Sequence, residues 1–191
     1  MDKYLKLVDS KKVPLRNLFR YANVRETLKA CKACPRYNKS WSCPSGTPTI
    51  FAYGNRFEHA TLFVFRVDYP EELYCSSRSR SELLTQREKF YDDRRRMIQC
   101  TLLEAEKKAP GTLSVSTCLL CEKCAREDGQ PCRHPEDRRY SMTTLGLDFT
   151  RLMTDLFDIR LNWSCDGLTK FDYCIAALLE PNTTMAGRRK N

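Results

Sequence analysis

The residues most able to do chemistry lie in the segment 118–135, which contains four cysteines. Cys118, Cys121 and Cys124 form an unbroken CxxCxxC row, and Cys132 follows after a Gly-Gln-Pro turn. A loop this polar cannot bury four thiols as small hydrophobic residues, and cysteines in so tight a row cannot pair with one another without strain. The spacing lets a short stretch of chain wrap around a soft metal centre. The sequence therefore predicts a metalloprotein.

A second cysteine-rich segment lies earlier in the chain and contains Cys31, Cys34 and Cys43. Cys31 and Cys34 form a CxxC pair, which places two sulfurs on one side of a tight turn. Cys43 is followed by Pro44, and a proline after a ligand cysteine stiffens the chain and removes a competing hydrogen-bond donor. Taken alone, the three cysteines could be free thiols in a buried turn. Beside the group of four, they are better explained as metal ligands.

The spacing of the cysteines favours an iron–sulfur cluster over zinc. Structural zinc sites are generally built from two separated pairs of ligands, whereas a 4Fe–4S cluster takes three sulfurs from one loop and a fourth from elsewhere. The seven residues between Cys124 and Cys132 exceed the spacing that is usual in bacterial ferredoxin loops. We therefore predict one or two 4Fe–4S clusters, and a four-thiolate zinc site is the alternative.

The sequence leaves two assignments open for Cys132. It either completes the CxxCxxC row or crosses to the earlier group of three, as the fourth cysteine does in two-cluster ferredoxins. One of the two sites would then have three protein thiolates and an iron with an open position, which can bind a substrate. The candidates for the missing ligand are Cys75, Cys100 and His134. His134 could instead donate a hydrogen bond to a sulfur, or be a solvated loop histidine.

Length and composition indicate one compact domain. The chain has 191 residues, of which 41% are hydrophobic, so it can bury a sizeable core. We expect residues 1–182 to form a single α+β metal-binding domain and residues 183–191 to form a basic, flexible tail.

The eleven cysteines indicate a reducing compartment. The N-terminal sequence has neither the apolar stretch nor the cleavage site of a signal peptide, and an odd number of cysteines argues against complete disulfide pairing. We therefore expect a cytoplasmic protein whose thiols are metal ligands or free core residues. No apolar run approaches the roughly 18 residues that span a bilayer, so no membrane partner is expected.

The net charge of +9 admits nucleic acid or another acidic partner. However, the basic residues are spread along the chain, and arginine and lysine also offset the negative charge of a four-thiolate cluster, which is about −2. Nucleic-acid binding is therefore not favoured. A redox partner or a small substrate, whose identity the sequence does not give, is expected instead.

Alternating and continuous apolar patterns predict the strands that carry these segments. The run 60–67 is β-branched, aromatic and nearly continuous in hydrophobicity, which predicts a central strand. The other predicted strands are 4–8, 112–117, 159–163 and 172–179, with a hairpin turn at Asp166 and Gly167 before the last of them. The strand at 112–117 leads directly into Cys118, and a strand end is a rigid place from which to present a metal-binding loop.

Helical spacing of apolar residues predicts helices near 15–29, 82–108 and 143–157. Ser81 and Ser141 are the expected N-caps of the second and third helices. Together these elements predict an α+β fold, a small mixed sheet packed by helices, with the two cysteine-rich metal-binding loops meeting at one edge.

The motifs also resemble those of a known family. The matching residues are Cys31-x-x-Cys34-Pro35, Tyr37, Trp41-Ser42-Cys43-Pro44, Cys118-x-x-Cys121-x-x-Cys124, Gly129, Pro131-Cys132-Arg133, Pro135, Ser141-Met142 and Gly146. In them the chain is similar to the uncharacterised family of predicted metal-binding proteins known as domain of unknown function 2284, over roughly residues 15 to 180. The resemblance implies metal binding, with iron–sulfur as the expected centre, and it implies no known reaction.

Two positions depart from the family's pattern. The family usually has Cys-Pro-Pro where this chain has Cys43, Pro44 and Ser45. It also often has an acidic residue after Ser-Met, where Thr143 stands here. Any chemistry that this carboxylate performs in relatives is therefore in doubt for this chain.

Two functional hypotheses of different classes follow. The first is a cytoplasmic iron–sulfur protein with a redox role, which either passes electrons to a partner or uses an open iron on a small substrate. The second is a zinc-stabilised binding module whose basic face contacts nucleic acid or an acidic protein. Neither a Ser-His-Asp set, a phosphate-binding glycine loop nor a paired-carboxylate motif is present, so the sequence identifies no catalytic residues and leaves open whether the protein is an enzyme.

Overall fold

The computed structural model describes residues 2–75, 79–161 and 168–182, and it confirms the α+β class. The four strands of its sheet are β1 (Leu5–Pro14), β2 (Phe57–Asp68), β3 (Leu113–Val115) and β4 (Phe171–Pro181), in the spatial order β1-β2-β4-β3. All pairings among the described strands are antiparallel, where we expected a mixed sheet. β2 and β3, which α2 connects, run in the same direction, but β4 lies between them and pairs antiparallel with both.

Three α-helices and four short 3-10 helices accompany the described sheet. The α-helices are α1 (Val24–Ala33), α2 (Arg80–Lys108) and α3 (Phe149–Phe157). The 3-10 helices are Leu15–Tyr21, Ile50–Tyr53, Glu71–Leu73 and Ala125–Asp128. No described helix is long and apolar enough to cross a bilayer.

The predicted central strand is confirmed, since β2 lies between β1 and β4. Ala60 and Leu62 are fully buried in the main core, while Phe63 and Phe65 pack on the opposite face against the cluster around Ile98 of α2. Both faces of β2 are therefore covered. This is the physical reason for its nearly continuous hydrophobicity.

The helix predicted for 15–29 is divided in two. A 3-10 helix ends at Tyr21, Ala22 forms an isolated bridge with Leu147, and α1 begins at Val24. Asn23 separates the two helices because its side chain accepts a hydrogen bond from the backbone N–H of Glu26 and so caps α1. α1 continues past residue 29 to Ala33, in the first cysteine segment.

The predicted long helix is present as α2, but its N-cap is Ser79 rather than Ser81. Ser79 and Glu82 form a capping box, in which each side chain binds the backbone N–H of the other residue. The helix ends at Lys108, and Gly111, with φ of +89°, turns the chain back towards β3.

The helix predicted for 143–157 starts later, at Phe149, with Asp148 as its N-cap. Ser141 caps a preceding turn instead, since its Oγ accepts a hydrogen bond from the Thr144 N–H. Gly146 prevents the helix from starting earlier, because its φ is +86° and a Cβ there would lie 2.7 Å from Val24 Cγ2.

The remaining strand predictions differ in length. The short strand expected at 4–8 is the ten-residue β1, and the strand expected at 112–117 is the three-residue β3. Residues 159–161 have no regular structure. The rest of the strand predicted for 159–163, the turn at Asp166 and Gly167, and the tail 183–191 lie outside the described residues.

Candidate metal centres

The first cysteine segment begins at the C-terminal end of α1. Cys31 lies in the last turn of this helix, Cys34 is its C-cap residue, and Cys43 lies in the series of turns that follows. The Arg36 backbone N–H donates a hydrogen bond to Cys34 Sγ, at 3.4 Å. Backbone donors of this kind surround the thiolates of iron–sulfur centres and influence their potential.

The second cysteine segment follows β3, and α2 holds its first turn. Gln99 Oε1 accepts a hydrogen bond from the Leu119 N–H at 2.7 Å, and Arg96 Nε donates to the Leu119 carbonyl at 2.9 Å. Gln99 is fully buried. Further along, Gly129 has a φ of +67°, in the left-handed region, and turns the chain towards Cys132.

The four cysteines of the second segment line one small cavity, of about 20 Å³. Cys132 thus lies with the CxxCxxC row. The residues that share this cavity are Cys118, Cys121, Cys124, Cys132, His134, Arg138, Leu120, Ser40, Trp41 and Ser42. The wall therefore includes part of the first cysteine segment as well as the side chains of His134 and Arg138.

The three cysteines of the first segment line a separate and wider cavity, of about 430 Å³, whose lining does not include Cys132. Burial, followed by the charges of Cys43 and Cys34, raises the pKa of the Cys31 thiol. Burial likewise raises the pKa of Cys43, and Cys34 adds to this, while a hydrogen bond with the Ser40 backbone and the charges of Arg126 and Arg36 oppose it. The three thiols are therefore close enough to interact electrostatically.

The described cysteines are all unpaired thiols. In residues 2–75, 79–161 and 168–182, no group of three or more His, Cys, Asp or Glu side chains is arranged to hold a single metal ion. The seven cysteines thus line two cavities without converging on one point in either.

Arg126 joins the two cysteine segments. Its guanidinium donates hydrogen bonds to the carbonyl oxygens of Ser40, at 2.8 Å, and Cys43, at 2.9 Å, and to Asn38 Oδ1. It also lies 5.0 Å from the centre of the Trp41 ring. Three acceptors and one aromatic face of the first segment are thus held by a single side chain of the second.

Further contacts bring the two cavities next to each other. Trp41 Nε1 donates a hydrogen bond to the Gln130 carbonyl, at 2.9 Å. Ser42, which is only 6% exposed, lines both the four-cysteine and the three-cysteine cavity. The two cavities are therefore neighbours that share one buried residue.

Replacing Arg126 with methionine is expected to loosen the first cysteine segment from the second. Hydrogen bonds from a charged donor contribute about 1.5–3 kcal/mol each, but these contributions are not additive. We therefore expect the free energy of unfolding to fall by about 2–4 kcal/mol in total. Amide hydrogen exchange of residues 38–43 should become markedly faster. Arg133→Met is the matched control, because Arg133 lies in the same segment and, among the residues that the structure describes, donates only to the Lys123 carbonyl. Equal exchange in the two variants would contradict the role given to Arg126.

The other candidate ligands differ in whether they lie at a cysteine cavity. His134 lines the four-cysteine cavity, whereas Cys75 and Cys100 are exposed and line neither cysteine cavity. Cys174 is a buried core thiol on β4, and burial raises its pKa to about 12. Cys165 lies outside the described residues.

Sequence patterns missed the residues that hold the segments in place. Arg126, Gln99 and Arg96 carry ordinary helix or loop polar side chains, and nothing in their spacing distinguishes them from solvated residues. Thr143, which stands at the position where the family pattern is often acidic, lines the three-cysteine cavity.

A family model described as predicted metal-binding protein (DUF2284) matches residues 13–179. No curated protein and no solved structure matches the chain.

Proposed function

Because the chain belongs to this family of predicted metal-binding proteins, we propose that it is an iron–sulfur protein with two centres and a redox role. Cys118, Cys121, Cys124 and Cys132 would hold one centre, and the three cysteines of the first segment would hold the other. The observation that carries the proposal is the division of seven cysteines into a group of four and a group of three around separate cavities.

The donor set of each cavity suits an iron–sulfur cluster. Thiolates are the usual ligands of such clusters, and each binds a different iron atom, so they surround a volume rather than converge on one point. Arg138 lines the four-cysteine cavity, where its charge offsets that of thiolates. The Arg36 N–H already donates to Cys34 Sγ.

The three-cysteine cavity is the better candidate for chemistry. Its wider volume leaves room for a small molecule beside the thiols, and three protein thiolates leave one iron of a 4Fe–4S cluster without a protein ligand. When bound, such a centre supplies one-electron transfer and a Lewis-acidic iron for a substrate oxygen. The chain itself supplies the wall opposite the cysteines, with Arg95 and Thr143 among its residues.

The proposal includes a cytoplasmic location. Seven ligand thiols must stay reduced before a metal centre is inserted, and a reducing compartment provides that condition.

One observation favours the zinc alternative for the four-cysteine cavity. Its volume of about 20 Å³ is suited to a single ion more than to a cluster. A four-thiolate zinc ion there would stabilise the segment, and the net charge of +9 would then serve an acidic protein or nucleic acid as partner.

Metal analysis distinguishes the iron–sulfur proposal from the zinc alternative. Protein purified without oxygen is expected to be brown and to contain about eight iron and eight acid-labile sulfide per chain, as two 4Fe–4S clusters require. Reduction with dithionite should bleach the visible absorption and give a paramagnetic resonance signal. A colourless protein with stoichiometric zinc and no sulfide would exclude the iron–sulfur proposal.

A further inference from the structure

A third cavity, of about 390 Å³, lies between the C-terminal part of α2, β3 and the residues that follow Cys132. Its lining includes Arg56, Arg138 and Arg139, and we call it the arginine cavity. No described cysteine lines it, although Arg138 also lines the four-cysteine cavity. Its volume is in the range of about 300–1,000 Å³ that is usual for small-molecule sites. The arginine cavity is therefore a candidate binding site next to a metal centre but distinct from it.

Arg139 forms the structural wall of this cavity. Its Nε and Nη2 donate to the two carboxylate oxygens of Glu106, at 2.9 and 2.5 Å, and its Nη1 donates to the carbonyl oxygens of Glu136 and Arg138. Each nitrogen of this guanidinium is thus engaged within the protein. Arg139 contributes charge and rigidity to the cavity, and other groups must contact a ligand.

The guanidiniums of Arg56 and Arg138 are free to contact one. Neither makes a hydrogen bond or an ion pair with any residue that the structure describes. The guanidinium carbon of Arg56 lies 5.2 Å from the centre of the Phe57 ring, and that of Arg138 lies 5.6 Å from the centre of the Tyr140 ring. Such ring contacts hold a guanidinium in place while its N–H groups remain available as donors.

Two tyrosine hydroxyls add further donors. Tyr53 and Tyr140 both line the arginine cavity and are half-buried, and their hydroxyls have no hydrogen-bond partner among the described side chains and backbone groups. Neither hydroxyl is among the described atoms that are both unpaired and enclosed, so both are accessible to solvent. An oxygen of a ligand in the cavity can therefore accept from them.

The field around the Tyr53 hydroxyl is positive. Burial and the neighbouring Tyr140 raise the pKa of Tyr53, whereas the charges of Arg56, Arg139 and Arg138 oppose this rise. Three guanidiniums are thus close enough to act on one hydroxyl. The lining also contains two carboxylates, but Glu106 is engaged by Arg139, and Glu136 is exposed, where solvent screens its charge.

We infer that the arginine cavity binds a small organic anion, a carboxylate or a phosphate ester, whose negative group lies near the Tyr53 hydroxyl in the field of Arg56 and Arg138. Guanidiniums and hydroxyls are the usual donors to both kinds of oxyanion. Leu113, Val115 and Leu145 also line the cavity, so the anion carries an apolar part that contacts them. This inference goes beyond the iron–sulfur function and does not rest on it.

Three aromatic probes test the inference by calorimetric titration of the anaerobically purified full chain. Benzoate and phenyl phosphate are anions, and benzamide has nearly the shape of benzoate without its charge. At least one anion is expected to bind with a dissociation constant of about a millimolar or lower, and benzamide at least about tenfold more weakly. Tighter binding of phenyl phosphate identifies a phosphate ester as the ligand, and tighter binding of benzoate identifies a carboxylate. Binding of neither anion, or equal binding of benzamide, overturns the inference.

Arg56→Met places the bound anion in the molecule. Arg56 is exposed and lines neither cysteine cavity, so the variant should keep the thermal midpoint and metal content of the wild type while binding the anion about tenfold more weakly. Arg56→Lys, which keeps the charge, should restore part of the affinity. Arg16→Met is the matched control, because Arg16 is equally exposed but does not line the arginine cavity. Equal weakening in Arg56→Met and Arg16→Met would show that the anion responds only to the net charge of the protein.

Tyr53→Phe gives an independent test, since it removes a donor without changing the charge. The hydroxyl has no described partner to lose, so we expect the variant to fold and to bind the anion about threefold to tenfold more weakly. Unchanged affinity would exclude the position near Tyr53 that we infer. Since none of these measurements depends on iron, loss of the iron–sulfur proposal would leave their outcome unaltered, and failure of anion binding would leave the iron and sulfide content unaltered.

Discussion

Replacing Cys118, Cys121 or Cys124 with serine, one at a time, is expected to remove the metal from the four-cysteine cavity and to reduce soluble protein sharply. A serine hydroxyl is a poor ligand for a soft metal centre. Between residues 118 and 138 only Ala125 is fully buried, so the segment has little core of its own. We therefore expect metal binding to supply much of the free energy that folds this segment, which reaches about 10–16 kcal/mol in small zinc domains.

Metal content measures this effect. If both cavities hold 4Fe–4S clusters, each variant should retain about half of the iron and sulfide of the wild type. Cys100→Ser is the control, since Cys100 is exposed on α2 and lines neither cavity, and it should retain full metal content. Unchanged metal content in all three variants would mean that the centre lies elsewhere.

The same assay tests the position of Cys132. Because Cys132 lines the cavity of the CxxCxxC row, Cys132→Ser should lose the same centre as Cys118→Ser, and combining the two should cause no further loss. If Cys132→Ser instead lost the same centre as Cys31→Ser, the result would favour the arrangement in which Cys132 binds the metal centre of the first cysteine segment.

Replacing Glu106 with glutamine is expected to destabilise the protein by about 3 kcal/mol or more. Arg139 donates to both carboxylate oxygens of Glu106, at 2.9 and 2.5 Å, and the two side chains are only 9% and 12% exposed. Glu106 also accepts from the Ser114 N–H, so one carboxylate joins α2, β3 and the segment after Cys132. Removing one partner of a buried pair leaves the other charge uncompensated, which costs about 3–5 kcal/mol.

The thermal unfolding midpoint checks this prediction. Glu104→Gln is the matched control on the same helix, because Glu104 pairs with Lys107 where both side chains are exposed. Such a pair contributes little, so the control midpoint should remain near that of the wild type. A Glu106→Gln midpoint equal to that of the control would show that the pair does not join these elements.

The contribution of Glu106 should also depend on pH. Burial disfavours its ionisation, but the hydrogen bonds from Arg139 and Ser114 prevail and hold the pKa of Glu106 below its ordinary value of 4.5. A carboxyl whose pKa is lower in the folded state stabilises the fold fully above its unfolded pKa and loses that contribution as the pH falls through the folded value. The difference in midpoint between the wild type and Glu106→Gln should therefore be constant near neutrality and shrink below about pH 4.5.

Much of the fold could be predicted from local patterns. The nearly continuous hydrophobicity of the run 60–67 indicates a strand that is buried on both faces, and both faces of β2 are covered. The apolar spacing of α2 and the strand pattern of β4 were equally informative. In contrast, the helix start at residue 149 depends on the contact between Gly146 and Val24, which are far apart in the chain. Local propensity carries no information on such a contact.

The sequence by itself determined which residues could bind a soft metal, because thiol chemistry and CxxC spacing are properties of a short stretch of chain. The tertiary structure alone decided that Cys132 lies with the CxxCxxC row and that Arg126 joins the two segments. Each of these depends on contacts between distant parts of the chain. Their geometry is set by the packing of α2 and the sheet, which no local pattern encodes.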